Sequence, residues 1–126
     1  MRSACFYFVI GLAVILLAGC VSTAAEPEEP IPAITCKQGA DCDLKWSRAI
    51  TWVSENAAYK IQTQTDSLIQ TFGPLDYQTG LAITVNRLML KPGVYEIDAR
   101  MGCANSIGCF PEPHAALRKF AAFLNG

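Results

Sequence analysis

Leu81-Ala82-Ile83-Thr84-Val85-Asn86-Arg87-Leu88-Met89-Leu90-Lys91-Pro92-Gly93-Val94-Tyr95-Glu96-Ile97-Asp98-Ala99-Arg100-Met101 decides the fold. In its second half Tyr95, Ile97, Ala99 and Met101 alternate with Glu96, Asp98 and Arg100. That two-residue period belongs to a strand with one face buried and one in water. In the first half Leu81, Ile83 and Val85 share a face, whereas Leu88 and Leu90 fall on the other, so a bulge is expected near Asn86. Lys91-Pro92-Gly93 supplies the reverse turn, because Pro presets one backbone angle and Gly tolerates a positive one. The result is a hairpin whose apolar face needs a cover.

Upstream, Tyr59, Ile61, Thr63 and Thr65 alternate with Lys60, Gln62 and Gln64, and Asp66-Ser67 turns the chain into a second strand over 68–72. Gly73-Pro74 ends it, and a loop to Gly80 carries Tyr77. The cover comes from two amphipathic helices. Trp46, Ala49, Ile50, Val53 and Ala57 make one apolar stripe of about 14 residues, with Trp52 at its edge. Asp43 is the expected N-cap; together with Asp41 it also suggests a hard-cation pair, although no further acidic ligand stands nearby. Pro111-Glu112-Pro113 starts the last helix, whose apolar face is Leu117, Phe120, Ala121 and Leu124. The expected fold is α+β: a four-stranded antiparallel meander with two helices on one face, in the order α-β-β-β-β-α.

The N-terminus carries a different message. After Arg2 the chain is almost wholly apolar from Cys5 to Ala18, a length that suits an export signal and is short of the ~20 residues of a spanning helix. It closes on Leu17-Ala18-Gly19-Cys20, an apolar residue, two small ones and Cys. This resembles the lipobox of bacterial lipoproteins. The resemblance implies that residues 1–19 are removed as a signal peptide and that the Cys20 thiol accepts a diacylglyceryl group. In that family an Asp after the Cys retains the product at the inner membrane. Val21 stands there, which implies the outer membrane, facing the periplasm. Two other readings compete: cleavage after Thr23-Ala24-Ala25 would release a soluble protein, and Cys20 would be a plain core residue if the run were a short buried helix.

Residues 20–35, with Glu26-Pro27-Glu28-Glu29-Pro30 and Pro32, read as the lipidated cysteine and a solvated tether, able to hold a domain some 40 Å from the bilayer when stretched. Residues 36–126 form one domain. Past Gly19, nine basic residues face eleven acidic ones and form no cluster, which gives no footing for nucleic acid.

Four cysteines remain in the domain, in two C-x5-C pairs, and an exported chain oxidises them. Loop entropy favours long cross-links, about 4.4 kcal/mol for a ~70-residue loop against about 2.4 for ~7. Topology opposes this. In a meander the first helix starts at the end of the sheet opposite to where the last strand finishes, and a disulfide needs Cα atoms within ~7 Å. The expected pairs are Cys36–Cys42 and Cys103–Cys109. Zinc knuckles space their ligands more closely, and a redox enzyme would carry C-x-x-C.

No residue set specifies catalysis, a metal or a cofactor. His114 could act with Cys109 as a nucleophilic pair only if Cys109 were unpaired, and Arg48, Arg87 and Arg100 could clamp an anion only if the fold gathered them. The best candidate interaction surface is the loop Gly102–Phe110, in which Asn105, Ile107 and Phe110 stand out between glycines and cysteines. The competing reading is a structural connection whose apolar residues tuck into the core. Beyond the lipobox, Cys42-Asp43-Leu44-Lys45-Trp46-Ser47-Arg48-Ala49 and Gly102-Cys103-Ala104-Asn105-Ser106-Ile107-Gly108-Cys109 resemble small uncharacterised periplasmic lipoproteins of proteobacteria, a family that implies no activity. The expected function is therefore a non-catalytic envelope module, anchored in the membrane by lipid and contacting another envelope protein or a cell-wall component. A small periplasmic hydrolase or ligand-binding protein using the helix–sheet cleft is the alternative.

Overall fold

The computed structural model describes residues 27–126. Residues 1–19, expected to be a signal peptide, and Cys20, the expected lipid acceptor, lie outside the described residues. In chain order the elements are β1 (Thr35–Lys37), α1 (Ala40–Asn56), β2 (Ile61–Gln64), β3 (Leu68–Thr71), β4 (Ala82–Lys91), β5 (Val94–Gly102) and α2 (Pro113–Asn125). The fold is α+β. The sheet has five antiparallel strands in the order β1-β5-β4-β3-β2, not four. The expected meander is β2 to β5, and β1 adds to the free edge of β5. A three-residue strand shows a single inward position, here Cys36, which is too little for a period to reveal.

Both helices cover one face. Trp46, Ala49, Trp52 and Val53 of α1 and Ala116, Phe120, Ala121 and Leu124 of α2 form one buried cluster with Ile69, Ile83, Val85 and Ile97 of the sheet. Trp52 is deeper than an edge position: its indole meets the Phe120 ring edge-on at 5.3 Å between centroids and 77° between planes. The opposite face of the sheet carries Gln70, Thr84, Asn86, Asp98 and Arg100, with Arg100 Nε 3.5 Å from the Asp98 carboxylate. Among the described residues the one buried polar side chain, Thr71, is satisfied: its Oγ1 accepts from the Ile83 N–H at 2.9 Å and donates to the Phe72 carbonyl at 3.0 Å.

Three expectations need correction. No bulge forms at Asn86, which pairs in register with Asp98; the irregularity lies at Met89/Lys91, beside the turn at Gly93 (φ 78°). Leu88, Met89 and Leu90 are all exposed; Leu88, paired with Glu96, continues the Thr84 and Asn86 face of the sheet, the face away from the helices. The apolar switch in sequence therefore requires no switch of face. Asp43 is not the N-cap. Helix α1 begins earlier, after Gly39 at φ 98°, with no side-chain cap, and Asp41 instead accepts the Lys37 N–H at 2.8 Å. Finally, Ile34 is buried and Ile31 packs against the core, so the folded unit reaches back into the stretch read as tether.

The cysteine pairs are joined as topology demands: Cys36–Cys42 and Cys103–Cys109, with Cα separations of 4.9 and 5.6 Å. The first pair ties β1 to α1 beside the hairpin tip, where the Gln38 N–H donates to the Gly93 carbonyl at 2.9 Å. The second closes the loop after β5. Strand β5 lies between them, and its nine residues span about 26 Å.

Candidate functional site

Strand β4 opens opposite the end of β5, with Ala82 paired to Gly102, so the loops 73–80 and 103–112 leave the sheet at the same end. They are laced together. The Tyr77 N–H donates to the Ala104 carbonyl at 3.3 Å, Asn105 Nδ2 donates to the Tyr77 carbonyl at 2.7 Å, and the Phe110 N–H donates to the Thr79 carbonyl at 2.8 Å. Asn105 Oδ1 also accepts the Ile107 N–H at 2.9 Å, an Asx turn that shapes the disulfide loop from inside. On the other loop, the Leu75 N–H donates to the Tyr59 hydroxyl at 3.2 Å. Gly80 sits against α1's exit; a Cβ there would stand 2.4 Å from the Ala58 Cβ, so only glycine allows this approach.

This rigid edge displays apolar side chains to water. Ile107 is 97 % exposed, Tyr77 87 % and Phe110 79 %, and Leu75 is exposed beside them. The tucked-in reading of the loop is thereby excluded: Ile107 and Phe110 point away from the core. Tyr77 holds φ at 64°, the only non-glycine residue with positive φ among the described residues. That backbone state disfavours bulky side chains, and here it aims an aromatic ring outward where burial brings no compensation. Gly108, at φ 139°, serves the turn between Ile107 and Cys109.

Among the sequence candidates, Asn105, Ile107 and Phe110 do fall on one edge, in different roles. Asn105 is a half-buried buttress; Ile107 and Phe110 are the displayed groups. Tyr77 and Leu75 complete the patch. Aromatic Tyr77 between glycine and proline punctuation was visible in sequence, but its partnership with Ala104 and Asn105 is long-range and has no local signal.

The remaining candidates disperse. Arg48 Nη1 donates to the Leu124 carbonyl at 3.4 Å, capping the end of α2; Arg87 lies over the Trp46 and Tyr95 rings at 5.3 and 5.7 Å; Arg100 pairs with Asp98 on the open face. They form no clamp. Cys109 is in a disulfide and cannot attack as a thiolate, and His114 Nε2 lies 3.7 Å from the Glu28 carboxylate. Glu112 caps α2, accepting the N–H groups of His114 at 2.7 Å and Ala115 at 2.6 Å, and those two bonds hold its carboxyl below the ordinary glutamate range. Among the described residues no three His, Cys, Asp or Glu side chains converge to hold a metal, and no helix is long and apolar enough to cross a membrane.

No protein-family profile matches the chain, and no curated protein or solved structure resembles it significantly.

Proposed function

We propose that this chain is a lipid-anchored envelope module without catalysis of its own. Cys20 carries the lipid, the outer membrane holds it on the periplasmic side, and the loop edge is the working surface. One observation carries the reading: Leu75, Tyr77, Ile107 and Phe110 stand exposed on a backbone fixed by a disulfide and interloop hydrogen bonds. Exposed apolar groups on a mobile loop would lose conformational freedom on binding. Held rigid, they are already ordered for contact. Exposed large apolar side chains gather at this edge and at the hairpin tip at the opposite end, with Leu44, Phe72 and Phe123 exposed elsewhere.

Metabolic labelling with palmitate, combined with a photo-crosslinking residue in place of Ile107, tests this. The label is expected on the wild-type chain and lost in Cys20→Ser. Crosslinked adducts, to lipid or to protein, are expected from position 107 in native envelopes and not from position 84 on the open sheet face, and His114→Ala should leave them unchanged. Absence of the label, or equal adducts from both positions, would overturn the reading.

A further inference from the structure

The place where the chain leaves the domain determines what the loop edge meets. Residues 27–34 do not project as a tether. The Ile97 N–H donates to the Ile34 carbonyl at 2.8 Å, Ile31 packs on the core, and the Glu28 carboxylate stands beside His114 in the first turn of α2. The segment therefore runs back from β1, past β5, to the start of α2. Phe110 precedes His114 by only four residues. The point at which the chain departs toward Cys20 and the apolar loop edge thus lie at the same end of the molecule. From Pro27 to Cys20 the chain can span no more than about 25 Å, well short of the ~40 Å reach expected of a free tether.

We infer that the loop edge rests on the bilayer that holds the Cys20 lipid, with Tyr77, Ile107 and Phe110 entering the boundary between headgroups and acyl chains. This rests on the lipid-anchor reading above. The side chains suit that boundary: Tyr77 joins a ring to a hydroxyl, and Ile107 and Phe110 are fully apolar. Charge has no part in the attachment. Residues 73–80 and 102–110 contain no Lys or Arg, and the one charged residue among them is Asp76. Docking by apolar burial alone leaves the contact insensitive to salt. It also orients the domain: the hairpin tip with Leu88, Met89 and Leu90, at the other end of the sheet, faces away from the membrane.

Ile107→Trp in the full lipidated chain, reconstituted into phosphatidylcholine vesicles with and without acyl-brominated lipid, tests the contact. Trp46 and Trp52 are buried, so the parent chain measures a constant background. Brominated lipid is expected to quench the added emission, equally at low and high salt. Thr84→Trp should be spared, and Phe110→Asp in the Ile107→Trp chain should reduce the quenching. Quenching no greater than in the parent, with the lipid mass present on Cys20, would overturn the bilayer contact and leave the anchor standing. A protein adduct from position 107 in envelopes without lipid quenching would likewise assign the edge to a protein partner. A mature chain lacking the lipid mass would remove the anchor and this inference with it.

Discussion

Replacing Ile107 by Asp distinguishes a displayed edge from a core connection, because the two assign opposite energies to the same substitution. Ile107 is 97 % exposed, so the native state loses almost no buried area, and the change should fall within about 0.5 kcal/mol, as for other surface substitutions. Were the side chain packed in the core, losing its burial and placing a carboxylate there would cost more than about 3 kcal/mol. Phe120 supplies the internal standard. It is 1 % exposed and meets Trp52 edge-on, so Phe120→Ala should cost about 3–5 kcal/mol. A domain of this size has roughly 5–15 kcal/mol in total, which puts that variant near the limit of folding. The assay is urea unfolding followed by the emission of Trp46 and Trp52. With a slope near ~1.5 kcal/mol per molar, the midpoint should move by about 2–3 M for Phe120→Ala and by less than about 0.4 M for Ile107→Asp. A midpoint loss for Ile107→Asp comparable to that of Phe120→Ala would refute the displayed edge.

Other outcomes follow from the same contacts. Asn105→Ala removes the bonds to the Tyr77 carbonyl and the Ile107 N–H and should cost about 1–2 kcal/mol, with faster amide exchange at Ile107. Serine at both Cys103 and Cys109 opens a short loop and should lower stability by up to about 2.4 kcal/mol, read by urea midpoint, while raising exchange at Tyr77 and Phe110. Gly80→Ala drives a methyl into the Ala58 Cβ and should cost about 1–3 kcal/mol, with chemical-shift changes confined to the α1 exit and the 73–80 loop. The Glu112 carboxyl sits below its ordinary value, so its stabilising effect is complete above the ordinary glutamate range and disappears as pH falls through the lowered folded-state value. Exchange of the His114 and Ala115 amides should accelerate in acid over that window, and Glu112→Gln should remove the dependence.

Much of the fold was legible because its strands have one wet face. Tyr95, Ile97, Ala99 and Met101 against Glu96, Asp98 and Arg100 is a local alternation, and the α2 start at Glu112-Pro113 is local chemistry. Both disulfides followed from topology once the hairpin was placed. What escaped was non-local. Strand β1 exists because β5 has a free edge, and three residues carry no period of their own. The apolar run Leu88–Leu90 imitates a register shift, yet the register continues unbroken to Leu88, which lies on the open face of the sheet and stays exposed. The same limit applied to the site: Ile107 and Phe110 were visible as candidates, but their exposure and their union with Tyr77 depend on two loops meeting across 28 residues of chain between Tyr77 and Asn105.

Amide exchange of the full chain in native envelope vesicles, compared with the Cys20→Ser chain in detergent-free solution, tests the proposed anchored contact surface most directly. Contact along the loop edge predicts slowed exchange at residues 75–79 and 105–110, with β2 and the 88–93 hairpin tip unchanged. Equal exchange at the loop edge in both states, or protection confined to the hairpin tip, would contradict it.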